Sequence, residues 1–368
     1  MRILIAGGGT GGHVIPALAI ARELRDRRNA EVRFVGTARG METRLVPEAG
    51  FPLELIHVGQ LKGVSLLTRV RTLADLPLGV LRCVSLLRNY RPHVVVGVGG
   101  YASGPAMMAA ILLRIPTLAF EPNAVPGLAN RIVGKKVSAA AVNFAPACKY
   151  FRNAVVTGVP VRPDFFSLPE RCPSAPPHLL VFGGSQGARA LNQAMPSVAR
   201  DLLEAIPRLT ITHQTGRGNQ ASVSAAYAQA GVPLDRCSSD RVSVHEFLTD
   251  MPLQFAHADL LLCRSGASTV AELAAAAKPS VLVPFPQAAD DHQRSNADVL
   301  VQAGAARMIL QAELIPEKLL AHLGELLQNR PLLEHMGRQA RKLAHPDAVG
   351  EIAALIDQLA KNTPASCT

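Results

Sequence analysis

The sequence predicts two doubly wound, Rossmann-like α/β domains, and three observations predict them. Apolar runs of strand length alternate with helical periodicity along most of the 368 residues, the pattern of parallel sheets covered by helices. A glycine-rich turn that leaves a strand and opens a helix occurs twice, at Gly7–His13 and at Gly183–Gly187. Between the two runs lies Pro163–His178, with five prolines in sixteen residues, a composition that suits a linker rather than a strand or helix.

The first strand, Arg2–Ala6, ends in Gly7-Gly8-Gly9-Thr10-Gly11-Gly12-His13, and the apolar spacing from Ile15 to Leu24 is helical. Such a turn points backbone N–H groups and a helix dipole at an entering anion, although a tight turn without a ligand is the plainer alternative. Further strands are expected at Glu31–Val35, Leu53–Val58, His93–Val98, Thr117–Phe120, Ala139–Val142 and Ala154–Thr157. Val94–Leu113 carries no charge, yet Gly97, Gly99, Gly100, Gly104 and Pro105 divide it into strand, loop and helix rather than a membrane span.

Val64–Tyr90 reads differently. Leu66, Leu67, Val70, Leu73, Leu78 and Leu81 alternate with Arg69, Arg71, Arg82 and Arg88, and Pro77 divides the stretch into an amphipathic helix pair. The pair either packs on the sheet or lays its leucines into a membrane interface with the arginines on anionic headgroups, and Ile111–Arg114 adds to the same patch.

After the linker the pattern restarts, with strands expected at Leu179–Phe182, Thr210–Gln214, Val242–Val244, Leu260–Cys263, Ser280–Val283 and Arg307–Ile309. Glu317–Leu327 and Gly350–Ala360 read as closing helices. The domains are therefore drawn as 1–162, a linker 163–178, 179–345, and a closing helix and tail 346–368. Ligands of doubly wound sheets bind at the C-terminal ends of the strands, so the cleft between the two domains is the expected site.

Charge divides unevenly. Residues 1–162 hold 21 of the 38 basic side chains but only 8 of the 28 acidic ones, so the net charge of +10 belongs to the first half. With 4% aromatic residues, no Trp and no basic block longer than two, nucleic acid is excluded as the partner, and an anionic membrane surface fits better. The six cysteines are scattered without a C-x-x-C pair, which suggests reduced thiols, and the N-terminus carries no signal-peptide pattern, so the protein is expected in the cytoplasm.

Three motif readings compete. Gly7–Gly12 fits the dinucleotide fingerprint, with Arg39 for a 2′-phosphate, which would make an NADP-dependent reductase; the usual acid after the second strand is missing. Gly183-Gly184-Ser185-Gln186-Gly187 fits G-x-S-x-G, which would make Ser185 a hydrolase nucleophile with Asp259 or Asp290 and His292 as partners. In the third reading Ser185 meets a phosphate, Glu272 accepts the two hydroxyls of a ribose, and the loop Pro284–Ala297 supplies acids, a histidine and an amide for sugar hydroxyls. Glu272 as dipole compensation, and Pro284–Ala297 as a polar helix start, remain the bland alternatives.

Seven motifs in order across residues 1–345 resemble those of the MurG glycosyltransferase family. They are Gly-Gly-Thr-Gly-Gly-His at 8–13, Gly-Gly-Tyr-Ala-Ser-Gly-Pro at 99–105, Glu121-x-Asn123, Pro160-Val161-Arg162, Gly-Gly-Ser-Gln-Gly-Ala at 183–188, Arg-Ser-Gly-Ala-x-Thr at 264–269 with Glu272, and His292-Gln293 with Asn296-Ala297. Pro122 and Val159 depart from the pattern, standing where Gln and Asn are usual.

The resemblance implies a GT-B fold and inverting transfer of GlcNAc from UDP-GlcNAc to the muramoyl 4-hydroxyl of the undecaprenyl-linked muramoyl-pentapeptide lipid I, giving lipid II for peptidoglycan. It implies neither metal nor cofactor, and a peripheral position on the cytoplasmic face of the cell membrane. Carried over by residue, Thr10, Gly11, Gly12, Asn123, Arg162, Ser185, Val244, Ala267, Ser268, Thr269, Val270, Ala271, Glu272 and Gln293 would contact the donor, Glu272 at the ribose and Gln293 at the sugar hydroxyls. Gly100, Tyr101, Ser103 and Gly104 would form an acceptor loop. His13 is the candidate general base, or else holds the acceptor diphosphate or orients the loop.

Overall fold

The computed structural model describes residues 1–56, 66–169, 171–172, 174–184, 186–232, 234 and 241–362, with the backbone alone at 66–76. The chain forms two compact units: residues 1–160 with 347–368, and residues 161–346.

The first unit contains β1 (Arg2–Ala6), α1 (Gly11–Arg28), β2 (Glu31–Gly36), α2 (Glu42–Glu48), β3 (Leu53–Leu55) and α3 (Leu66–Tyr90). It continues through β4 (Val94–Gly97), α4 (Ser103–Leu112), β5 (Thr117–Glu121), α5 (Leu128–Val133), β6 (Ala139–Val142) and β7 (Ala154–Val156). Its seven strands are all parallel, in the order β3-β2-β1-β4-β5-β6-β7. The chain order reverses between β1 and β4, so the loops after those two strands flank the switch point where such sheets bind ligands.

The second unit repeats the scheme with β8 (His178–Phe182), α6 (Arg189–Ala205), β9 (Thr210–Gln214), α7 (Gln220–Gln229), β10 (Val242–His245), α8 (Met251–His257) and β11 (Leu260–Cys263). It ends with α9 (Ala267–Ala275), β12 (Ser280–Leu282), α10 (His292–Gln302), β13 (Ala306–Met308), α11 (Pro316–Gln328) and α12 (Arg330–Arg341). Its six parallel strands run β10-β9-β8-β11-β12-β13, with the switch point between β8 and β11. A last helix, α13 (Ala348–Lys361), returns to the first unit, where Asp357 pairs with Arg28 of α1.

The inner strands are buried on both faces, as apolar runs such as Val94-Val95-Val96 and Leu260-Leu261-Leu262 require. The proline-rich segment packs as part of the second unit. Phe165, in a short 3-10 turn at Pro163–Phe165, is fully buried and meets Phe255 of α8 edge-on at 5.0 Å.

One expectation needs correction, and one element was not read. The helix pair expected to break at Pro77 is one 25-residue helix that runs through it. An internal proline removes one backbone bond and costs roughly 3 kcal/mol in a helix interior. Burial of Val80, Cys83, Leu87 and Tyr90 on the following turns offsets that, and the Tyr90 hydroxyl donates to Glu31 O at 2.8 Å. Helix α12 was not expected from periodicity, although its start is written in the chain: Asn329 accepts from Leu332 N at 3.1 Å, with Pro331 in the first turn.

Candidate active site

In the first unit the site begins with Gly7–Thr10, between the end of β1 and the start of α1. Thr10 is extended and caps α1 without a side-chain hydrogen bond, so Gly11 and Gly12 present first-turn N–H groups to an anion. His13 stands in that same first turn. Its Nδ1 lies 3.2 Å from the carbonyl oxygen of Gly8 and 3.5 Å from Thr10 Oγ1. A carbonyl only accepts, so Nδ1 donates in that contact; in the neutral ring that arrangement places the lone pair on Nε2.

The loop after β4 closes on the same ring. Gly8 N donates to Gly99 O at 3.3 Å, and a Cβ built on Gly99 would lie 3.0 Å from His13 Nε2. Gly99 has φ +88° and Gly100 φ +80°, and a side chain at Gly100 would collide with the Gly8 backbone, so both must be glycine. Tyr101 next to them is exposed, whereas Ser103 turns inward, its hydroxyl buried against Gly97 without a partner among the described residues. Gly104 is the second residue of α4, and a Cβ there would lie 3.9 Å from that of Ala129.

Asn123 follows β5. Its backbone N and its Nδ2 both donate to Glu121 Oε1, at 3.0 and 3.1 Å, while Glu121 Oε2 receives Gly127 N and Asn130 Nδ2. Burial pushes the Glu121 carboxyl above its usual range, and these donors pull it back. Pro122, at the departure from the family pattern, offers its carbonyl to Asn143 Nδ2 at 3.0 Å, and Val159, the other departure, is buried.

Sequence reasoning missed Glu42. It is 1% exposed, and its carboxyl accepts from Gly9 N at 2.7 Å, Thr37 N at 2.9 Å and Thr37 Oγ1 at 3.0 Å. Side chains at Gly8, Gly36 or Gly40 would run into it. Being one of only eight acids in residues 1–162 was the signal available. Both of its oxygens are engaged by donors from the loops after β1 and β2.

The second unit builds its counterpart from the ends of β8, β9 and β11. Ser185 lies outside the described residues. Around it, Gly184 has φ +82° and Gly187 φ +74°, and buried Gln214, also missed, donates to Gly184 O at 3.1 Å while accepting from Leu248 N at 3.0 Å. Asn192 Nδ2 holds Thr215 O at 2.9 Å, against which Gly187 is packed. The carbonyl of Val244, at the end of β10, is taken by Gln220 Nε2 at 2.9 Å.

Ala267–Ala271 form the opening of α9, which has no side-chain cap. Glu272 follows in the second turn, beyond the reach of simple first-turn dipole compensation. The carboxyl is half-buried, and no hydrogen bond to it is found among the described residues. Burial pushes it up to about 7, with Arg162 pulling the other way. Arg162 itself lies over the Phe165 ring, 5.2 Å from its centre.

Gln293, in the first turn of α10, accepts from Phe285 N at 3.0 Å, so its side-chain nitrogen carries the donors available to a hydroxyl. Arg264 is spent internally, on Val283 O, Pro284 O and Gln311 Oε1, and buried Asn296 holds Ser265 O at 3.2 Å. Of the residues considered as hydrolase partners, Asp259 is engaged elsewhere. Asp259 sits before β11, at the opposite end of the sheet from Gly183–Gly187, bound to Arg171 and to His178 N at 2.8 Å. His292 Nδ1 is taken by Ala289 O at 2.7 Å.

Residues 3–142 match the glycosyltransferase family 28 N-terminal domain and residues 178–352 its C-terminal domain. The chain is 45% identical to a UDP-N-acetylglucosamine--N-acetylmuramyl-(pentapeptide) pyrophosphoryl-undecaprenol N-acetylglucosamine transferase of Anaeromyxobacter dehalogenans (strain 2CP-C), covering 98% of this chain and 94% of that protein. The chain belongs to the MurG family. A relative of the same name from Geotalea uraniireducens is 39% identical with both chains fully covered. The crystal structure of Acinetobacter baumannii MurG superposes with a TM-score of 0.79 at 32% identity, over 97% of this chain and 99% of that one. A UDP-GlcNAc 2-epimerase from Neisseria meningitidis, at 12% identity, TM-score 0.65 and 97% and 100% coverage, shares the fold alone. The GT-B fold therefore leaves the reaction open, and family membership decides it.

Proposed function

We propose that the chain transfers N-acetylglucosamine from UDP-GlcNAc to the 4-hydroxyl of the muramoyl sugar of lipid I, with inversion at C1, forming lipid II and UDP. The observation that carries the donor half is Glu272, an acceptor without a hydrogen-bond partner among the described residues, set behind the uncapped first turn of α9. Its two oxygens suit the vicinal hydroxyls of a ribose, and the first-turn N–H groups suit the adjacent diphosphate. Gln293 meets the sugar hydroxyls, and Ala267–Ala271, Ser185, Val244, Arg162, Asn123, Thr10, Gly11 and Gly12 complete the donor contacts. Gly100, Tyr101, Ser103 and Gly104 form the acceptor loop.

His13 is the general base. Its Nδ1–H donates to Gly8 O, which supports a lone pair on Nε2 able to take the proton of the acceptor hydroxyl. That oxygen attacks C1 of the sugar, the C1–O bond to UDP breaks, and the charge left on UDP is met by Arg162 and the helix N-terminus. In an assay with UDP-GlcNAc and a short-chain lipid I analogue, the protein should form the lipid II analogue, and His13→Ala should lower kcat by about 10²- to 10⁴-fold while UDP still raises the melting temperature. Absence of product from the unmodified protein would refute the reading.

The acceptor is lipid-linked, and an anionic cytoplasmic membrane surface is the docking partner in this reading. Exposed Leu78 and Leu81 on α3, Leu112 on α4 and Ile132 on α5 support it, with Arg82, Arg88, Arg114 and Lys136 exposed on the same elements and their connections. These three helices pack in sequence, α3 on α4 and α4 on α5. No helix among the described residues is long and apolar enough to cross a membrane, which suits a peripheral contact. Leu66, Leu67, Val70 and Leu73 lie where only the backbone is described.

A further inference from the structure

The peptide unit between Gly8 and Gly9 connects the buried Glu42 carboxyl with the His13 ring. In a trans peptide the N–H and the C=O point in opposite directions. Here the Gly9 N–H points at Glu42 Oε2, 2.7 Å away, and the Gly8 C=O points at His13 Nδ1, 3.2 Å away. Glycine on both sides of this bond, with Gly9 at φ +94°, leaves little steric resistance to turning the plane over.

Turning it would aim the Gly9 N–H at His13 Nδ1. That nitrogen would then have to accept, and the ring proton would move to Nε2. What opposes the turn is the buried Glu42 carboxyl. It takes the Gly9 N–H on one oxygen and is itself fixed by the Thr37 N–H and hydroxyl on the other. The next residue of the loop is tied to the same segment, because Met41 N donates to Gly9 O at 3.2 Å.

We infer that Glu42 is a positioning residue for the transfer reaction: by holding the Gly8–Gly9 peptide in one orientation it sets which ring nitrogen of His13 carries the proton. The catalytic consequence rests on His13 being the base, whereas the tautomer lock itself does not. The residue touches no substrate and acts through one peptide plane.

Glu42→Gln is the sharpest test, because it keeps the shape and replaces one acceptor oxygen by an NH2. Thr37 presents two donors to the surviving oxygen, so the NH2 faces Gly9, repels its N–H and attracts the Gly8 carbonyl. Nitrogen-15 NMR of histidine-labelled protein should show the Nδ1–H form of His13 in the unmodified protein and a gain of the Nε2–H form in the variant. The kcat should fall about 100-fold with KM for UDP-GlcNAc unchanged. An Nδ1–H ring retained in Glu42→Gln would overturn the inference. An altered tautomer with unaltered kcat would uphold the lock and remove His13 from the proton step. If Glu42→Gln does not fold, Glu42→Asp takes its place: it keeps both oxygens one methylene further from Gly9, a tautomer mixture is expected, and an unmixed Nδ1–H ring overturns the inference.

Discussion

Half-buried in the second turn of α9, the Glu272 carboxyl meets no hydrogen-bond donor among the described residues, and its charge adds to burial in raising the Cys263 thiol. Burial lifts it from 4.5 to about 7, so near neutral pH a large share of the ligand-free protein holds it protonated. Only the ionised carboxylate accepts from both hydroxyls of a ribose, so donor binding must release that proton. Affinity for UDP-GlcNAc should therefore weaken as pH falls through about 7, by up to about tenfold per pH unit, and level off above it. Calorimetric titrations at pH 6 and pH 8 measure this, with Glu272→Gln expected to bind weakly and without the slope; equal affinities for the unmodified protein at both values would refute the assignment. Gly99 makes the complementary point. The absence of a Cβ there is what leaves room for the His13 ring, and the strand-end position of a glycine does not reveal that neighbour.

At the scale of elements, α3 shows how packing overrides a local signal. Pro77 marks a break in the sequence, yet burial of Val80, Cys83 and Leu87 keeps the helix continuous, so the same rod carries Leu78 and Leu81 outward on its solvent face. Leu112 is 69% exposed on the adjoining α4, and a cluster of exposed leucines beside arginines is the composition of an interfacial membrane contact. Changing Leu78, Leu81 and Leu112 to Ser should leave the melting temperature nearly unchanged while reducing co-sedimentation with anionic phosphatidylglycerol liposomes several-fold. Sedimentation equal to that of the unmodified protein would exclude this face as the contact.

For the molecule as a whole, stability depends on polar groups sealed inside the second unit. His213 is fully buried between Tyr227 OH and Asn192 Oδ1, at 2.9 and 3.2 Å, and burial holds it down to about 3. Burial, then the charge of Arg171, hold His178 down to about 4. Both lie below the ordinary 6.5, so under that pH the unfolded chain binds protons that the folded chain refuses. Their contribution is complete above about 6.5 and is lost as pH falls toward 4, each group adding up to about 1.4 kcal/mol per pH unit. Denaturant unfolding between pH 7 and 4.5 should show this slope, and His213→Gln should flatten it; an unchanged slope in the variant would show that His213 does not carry it.

The alternation of strands and helices, the two glycine turns and the family were legible in the chain because buried parallel strands are continuous apolar runs and phosphate-binding turns need glycine at fixed places. Those signals are local, and so the sequence by itself determined them. Which polar groups are consumed internally was decided by tertiary structure alone. Glu42 meets Gly9 across 33 positions, Gln214 meets Gly184 across 30, and Arg264 meets Gln311 across 47. In the chain these residues look no different from Glu272, which the fold leaves with its oxygens available. A hydrogen bond depends on where the backbone brings its partner, and that is settled only when the strands take their order in the sheets.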